Sequence, residues 1–308
     1  MKTFPKGAYP AMITPFHEDG SIDYPAVNEL LRWYERMNCS GVLALCASSE
    51  TETLSLEERV ELAKYIVEHK GNLIIIASGH VSTSLEDQLT ELNAMAETGI
   101  DGLCLIVGLL NQNNETDDEF IENTKTIMNG LNNKTIPLGF YERPCPTNRN
   151  LSEKIVKFCA DTGRFWFMKE TSCDPEIIAK KIRAAAGSPF NIYNANSIQL
   201  YESLKNGAAG FCGIMGNFHP DLYQWLCVNY DKHPAEAERV AAYISAIGET
   251  GDQYPASAKY HQNLYGAKMS TYTRRTGSTQ EMKPSTAIRL QAVEQVVNEV
   301  RAWLKTVD

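Results

Sequence analysis

The sequence predicts an eight-stranded (β/α)8 barrel, a TIM barrel, with a C-terminal helical extension. Three observations carry this. Short apolar runs alternate with amphipathic stretches of helical period, each run is followed by a helix rather than a tight hairpin turn, and eight such units fit before about residue 230. Strands joined through helices are parallel crossovers, which an open doubly wound sheet would also show. That sheet normally carries a glycine-rich nucleotide signature. Here no GxGxxG follows the first strand and no GxxxxGK[ST] occurs, so closure into a barrel is favoured.

The predicted strands are Ala8–Thr14, Gly41–Leu45, Leu73–Ala77, Gly102–Val107, Ile136–Tyr141, Phe165–Met168, Asn191–Tyr193 and Gly210–Ile214. Helices are predicted over 23–38, 56–69, 83–98, 116–130, 151–162, 174–186, 197–206 and 218–229. Several open on a capping residue: Ser55 with Glu58 three residues on, Ser84 with Asp87, Ser152, and Asp174 ahead of Pro175. Beyond the eighth unit the strand runs stop, and 234–248, 255–267 and 284–305 read as helices. The polar segment Ser270–Lys283 before the last helix is read as a lid or an interface piece. Residues 1–230 are thus expected to form the barrel, and 231–308 an extension of the same structural unit.

Composition narrows the function. Of 308 residues, 29 are basic and 38 acidic, a net charge of −9, and no basic run exceeds pairs such as Arg274–Arg275. A phosphate backbone needs a basic patch, so nucleic acid and anionic membranes are poor partners. No stretch approaches the 18 or so apolar residues of a membrane span, and the first residues lack the apolar core of a signal peptide. A cytoplasmic protein is expected. The 8 cysteines contain no CxxC pair and read as small buried hydrophobes. The 6 histidines are scattered without HxH or HExxH, so no metal is expected.

In a barrel of this kind the chemistry lies at the C-terminal ends of the strands. The sixth run, Phe165-Trp-Phe-Met168, leads into Lys169. Apolar surroundings disfavour an ammonium, and a neutral amine attacks a carbonyl to form a Schiff base. A lysine that snorkels to water or pairs with Glu170 would look the same. The fifth run ends in Tyr141, which adjacent strands would set beside Lys169, either as a proton shuttle or as a core tyrosine. The second run ends in Cys46-Ala-Ser-Ser-Glu50, whose hydroxyls could bind a carboxylate or cap the next helix.

In order along residues 8–225 come Ile13-Thr-Pro-Phe16 with Asp19-Gly-Ser-Ile-Asp23, and Gly41-Val-Leu-Ala-Leu45 with Leu54-Ser-Leu-Glu-Glu-Arg59. They are followed by Tyr141 three residues before Pro144, Lys169-Glu-Thr-Ser-Cys-Asp174, and Gly207-Ala-Ala-Gly210 leading to Gly216-Asn217 and Pro220. This series resembles the dihydrodipicolinate synthase and N-acetylneuraminate lyase family of class I aldolases. The resemblance implies a Schiff base on Lys169, Tyr141 as its proton-relay partner, and carboxylate binding by the turn around Ala47, Ser48 and Ser49. It implies no added cofactor, a small 2-oxo acid such as pyruvate as partner, and a homotetramer or homodimer.

The departures bear on the substrate. Ala47 stands where the family usually has a hydroxyl, Leu109-Leu110 replaces the paired tyrosines of the synthases, and Pro146 replaces their carboxylate-binding arginine. Genuine dihydrodipicolinate synthesis is therefore not expected, and cleavage of a sugar-like 2-oxo acid is. Dehydration of a sugar acid through the same imine, and binding without turnover, are the alternatives. Arg143 is an unusual cation that could hold a substrate carboxylate or pair with Glu142. Asn194 and Asn196 could bind substrate hydroxyls or turn the chain. Cys212 and Gly213 end the eighth strand, where the family's backbone lines the site, and His80 reads as structural.

Overall fold

A computed structural model describes residues 3–144, 147–248 and 253–307. The strands are β1 (Gly7–Ala8), β2 (Gly41–Ala44), β3 (Ile74–Ala77), β4 (Gly102–Ile106), β5 (Leu138–Tyr141), β6 (Phe165–Glu170), β7 (Asn191–Asn194) and β8 (Gly210–Phe211). All pair in parallel, in the order β1-β8-β7-β6-β5-β4-β3-β2. The first strand is shorter than expected because Pro10 has no N–H to continue the ladder. Its carbonyl still accepts from Leu43 N at 2.9 Å, and Met12 N donates to Leu43 O at 2.9 Å. This bridge between Ala11 and Leu43 closes the barrel.

Around the strands lie α1 (Tyr24–Arg36), α2 (Leu56–His69), α3 (Leu85–Ala96), α4 (Asp117–Gly130), α5 (Glu153–Thr162), α6 (Pro175–Ala185), α7 (Leu200–Lys205) and α8 (Pro220–Asn229). Their starts follow local chemistry. Ser55 and Glu58 form a reciprocal capping box, and Ser84, Ser152 and Asp174 each accept from a first-turn N–H. The helix predicted from 197 begins only at Leu200, because the Asn196 carboxamide takes the Ile198 and Gln199 N–H groups and shapes a turn first.

The barrel interior is plugged at its N-terminal end. Tyr9 and Tyr193 meet edge to face at 4.9 Å, Phe167 stacks on Tyr193 at 4.7 Å, and both phenols donate to Pro5 O at 3.0 Å. Buried phenols usually find a hydrogen-bond partner, and these two share one carbonyl. The described cysteines are all free and, except Cys173, buried. Among the described residues no helix is long and apolar enough to cross a membrane.

The remaining chain forms α9 (Pro234–Ile247), α10 (Ala256–Tyr265), a two-stranded hairpin of β9 (Tyr272–Thr273) and β10 (Ser278–Thr279), and α11 (Pro284–Leu304). Its anchors reach the rim of the barrel. Lys259 pairs with Glu50 at 2.9 Å with both side chains wholly buried, and Arg274 makes a two-point contact to Glu58 at 2.6 and 2.8 Å. Farther round, Arg301 grips Asp221 of α8 at 2.7 and 3.0 Å. The segment 270–283 is thus a hairpin lying across the end of β2.

Candidate active site

Parallel pairing puts Tyr141 of β5 directly opposite Lys169 of β6. Both are buried, at 5% and 4% exposure, and the Lys169 Nζ stands 4.3 Å from the centre of the Tyr141 ring. Side chains alternate across a strand, so these two point into the barrel while the following residues, Glu142 and Glu170, point outward to the helix layer. There both carboxylates meet Lys181 of α6, at 2.6 and 2.8 Å for Glu142 and 2.9 Å for Glu170. Glu142 does not pair with Arg143, contrary to one of the readings of the sequence: strand parity sends it to the opposite side.

Three lysines are buried among the described residues: Lys169, Lys181 and Lys259. The latter two each hold a carboxylate. Lys169 has none within ion-pair distance among the described residues, which is the setting of a reactive amine rather than a structural cation. The sequence predicts a depressed pKa for it. Burial acts in that direction, but Tyr141 and the thiols of Cys212, Cys46 and Cys104 oppose it when ionised, and the net direction is upward. At neutral pH Tyr141, Cys104 and Cys212 lack that charge. Burial raises the Tyr141 phenol and the Cys104 thiol, and pushes Cys212 up to about 12. Burial by itself favours the neutral amine.

The turn after β2 supplies the next wall. Ser49 is committed to the scaffold: its hydroxyl donates to Met12 O at 2.6 Å and accepts from Cys46 N at 3.2 Å. Ser48 is buried beside it. Ala47 contributes its backbone, and its carbonyl accepts from Arg275 Nη2 at 2.5 Å. Arg143 faces Glu52 at 3.7 Å, and the same carboxylate takes Arg275 Nε at 2.6 Å. One acidic group therefore lies between two guanidinium groups. Leu109 and Leu110 are buried, and Pro146 lies outside the described residues.

Asn194, Asn196 and His80 lie away from this pair, whereas Cys212 lies near it. Asn194 pairs with Glu170 across the strands and so shares its outward face; its amide donates to Ser203 at 3.2 Å and its carbonyl accepts Asn196 N at 2.8 Å. Asn196 also donates to Cys173 Sγ at 3.2 Å. Cys212 is buried within electrostatic reach of Lys169. His80 accepts from Ile106 N at 2.8 Å, and burial lowers its pKa to about 4, so it is a neutral acceptor under β4. Among the described residues no group of three or more His, Cys, Asp or Glu could hold a metal ion.

Nothing in the sequence singles out Tyr254, Glu52 or Arg275 as neighbours of this site. Arg275 belongs to a noted arginine pair within a noted polar segment, but nothing local shows that it folds onto the β2 turn more than 200 residues away. The carboxylate parity at Glu142 and Glu170 was readable from the strand period alone.

The description of the dihydrodipicolinate synthetase family matches residues 4–275. 4-Hydroxy-tetrahydrodipicolinate synthase 1 of Clostridium acetobutylicum is 30% identical over 226 residues, 73% of this chain and 74% of the relative. The barrel superimposes on 4-hydroxy-tetrahydrodipicolinate synthase of Methylacidiphilum fumariolicum with a TM-score of 0.84 at 20% identity, covering 97% of this chain and 98% of the other. An E. coli K12 prophage protein of the dihydrodipicolinic acid synthase family, solved in complex with pyruvate, gives 0.80 at 19% identity over 96% and 98%. With the match running from the first strand to the arginine pair of the hairpin, this chain belongs to the dihydrodipicolinate synthetase family.

Proposed function

We propose that the protein is a class I lyase that forms a Schiff base between Lys169 and a pyruvate-type 2-oxo acid. Members of the family are lyases of the aldolase type. The observation that carries the reading is the buried lysine without a carboxylate, set 4.3 Å above the Tyr141 ring at the open end of the barrel. The neutral amine adds to the 2-oxo carbon, water leaves, and the protonated imine accepts the electron pair released when a bond to C3 breaks. Tyr141 carries the proton to or from the substrate hydroxyl. The N–H groups of Ala47 and Ser48 open the turn and suit the substrate carboxylate, preorganised donors of a kind that contribute roughly 3 kcal/mol.

Cleavage of a sugar-like 2-oxo acid is the proposed reaction, rather than dihydrodipicolinate synthesis. Ala47 and Leu109-Leu110 support it, because these positions bring no hydroxyl to a synthase-like relay. Arg143 adds a cation at the mouth, poised for an acidic group at the far end of the substrate. Borohydride reduction with pyruvate, followed by peptide mass spectrometry, tests the imine. An adduct on Lys169 that is lost in Lys169→Ala is the expected result, and no adduct under conditions that label an authentic relative would refute it. Product analysis on sugar acids then separates pyruvate plus an aldehyde from a dehydrated acid.

A further inference from the structure

The C-terminal hairpin holds the turn after β2 from behind, and it does so through a backbone carbonyl of the site itself. Within the turn, Ser49 N closes on Cys46 O at 2.9 Å and Glu50 N on Ala47 O at 3.2 Å. The N–H groups of Ala47 and Ser48, the donors proposed for the substrate carboxylate, meet no acceptor among the described residues. The turn follows β2 at the same end of the barrel as Tyr141 and Lys169. Arg143, two residues beyond Tyr141, reaches across to its Glu52 at 3.7 Å.

Arg275 arrives at this turn from 228 positions along the chain. Its Nη2 donates to Ala47 O at 2.5 Å, and its Nε to Glu52 Oε1 at 2.6 Å. A trans peptide points its C=O and the following N–H in opposite directions. Holding Ala47 O on the hairpin side therefore aims the Ser48 N–H away from the hairpin, into the buried side of the turn. A charged donor on the carbonyl also polarises the peptide group and strengthens its N–H as a donor.

The guanidinium starts from a fixed base. The Arg275 N–H donates to Glu50 Oε2 at 3.0 Å, and Lys259 holds the other oxygen of that carboxylate at 2.9 Å. Beside it, Arg274 donates to Gly20 O at 2.7 Å and Thr53 O at 3.1 Å as well as to Glu58. The charge of Arg275 is answered by Glu52, so what it brings to the site is the direction of a peptide group.

We propose that Arg275 is a positioning residue for the substrate carboxylate, setting the Ala47–Ser48 peptide so that the Ser48 N–H faces the bound anion; this rests on the Schiff-base reading and its carboxylate assignment. Arg275 acts through the backbone and does not touch the substrate.

Cyanoborohydride trapping on Lys169 across a range of pyruvate concentrations tests this, with methyl pyruvate as a second probe that keeps the 2-oxo carbon and removes the charge. Arg275→Met is expected to melt within a few degrees of the wild type and to reach the same trapped endpoint at saturating pyruvate. Its half-saturating pyruvate concentration should rise about tenfold, because ground-state binding is what is lost. Methyl pyruvate should shift less than about threefold, since it presents a weaker acceptor to the same N–H. The pyruvate defect should persist in about 0.5 M salt, which screens a simple attraction between charges. Arg275→Lys, which keeps a charged donor for Ala47 O, should recover pyruvate binding to within about threefold of the wild type. Equal losses for pyruvate and its ester, a defect that closes in salt, or a response of Arg275→Met within twofold of wild type would overturn the role of Arg275 while leaving the imine intact. Absence of the wild-type adduct would overturn the Schiff-base reading and this one with it.

Discussion

Replacing Lys181 by methionine removes the one cation between two carboxylates that sit directly behind the proposed active-site pair. Its Nζ lies 2.6 and 2.8 Å from the Glu142 oxygens and 2.9 Å from Glu170, and the three side chains are 0–1% exposed. Backbone donors remain: Leu151 N at 2.6 Å and Thr171 N at 3.3 Å to Glu142, and Ser172 N at 3.0 Å to Glu170. They do not neutralise two charges. Removing one partner of a buried pair typically costs about 3–5 kcal/mol, which in a domain this large lowers the melting temperature by roughly 6–15 °C.

The pH dependence is the sharper test. Burial already raises the Glu142 carboxyl against the pull of Lys181, and without the lysine the pair must take up a proton to stay buried. A carboxyl whose folded pKa exceeds its unfolded one stabilises below the unfolded value and loses that contribution as pH rises through the folded value. The deficit of Lys181→Met relative to wild type should therefore shrink as pH falls from 7 toward 5, measured by urea unfolding at each pH. A loss below about 1 kcal/mol, or a deficit constant across that range, would refute the account of the cluster as two ionised carboxylates bridged by one cation.

Three more outcomes follow from the same structure. Burial lowers His80 to about 4 and His219 to about 3; stability is full above the ordinary value of 6.5 and lost as pH falls through 6.5 toward 4, with His80 alone contributing roughly 3 kcal/mol. Acid titration of unfolding checks this, and a flat profile between pH 6.5 and 4.5 would contradict it. Gly139→Ala would set a Cβ 2.7 Å from Phe167 O and 3.1 Å from the Phe167 Cβ, between β5 and β6; a loss of about 1–3 kcal/mol in chemical denaturation is expected. Arg143→Ala should raise KM about tenfold for acidic substrates with kcat within twofold, and Glu52→Gln should lower KM by freeing both guanidinium groups; unchanged KM in both would remove Arg143 from substrate binding.

Much of this fold is local chemistry and was legible as such. Apolar runs bounded by caps like Ser55 with Glu58 placed the eight units, and the adjacency of Tyr141 and Lys169 follows once neighbouring strands pair in parallel. Pro10 and Asn196 shift boundaries through a missing donor and a side-chain turn, both local effects. The rest of the site depends on long-range packing. Glu52 joins residues 91 and 223 positions away, and Tyr254 reaches Asn217 only because α10 is pinned to the rim. No periodicity encodes such meetings. The direction of Glu142 is the exception: parity fixes it, and Lys181 lies on the helix layer it faces.

The fixation of α10 to the β2 turn has a consequence for biosynthesis. A ribosome delivers all eight strands by residue 211, whereas Lys259 and Arg275 follow some seconds later at about 5–20 residues per second. During that interval Glu50, whose backbone is held at φ +55 and whose carboxylate ends wholly buried, has neither its lysine nor the Arg275 N–H. An unpaired carboxylate resists burial. The nascent barrel therefore dwells with its mouth open and its β2 turn hydrated, and the site closes only when the last quarter of the chain has emerged.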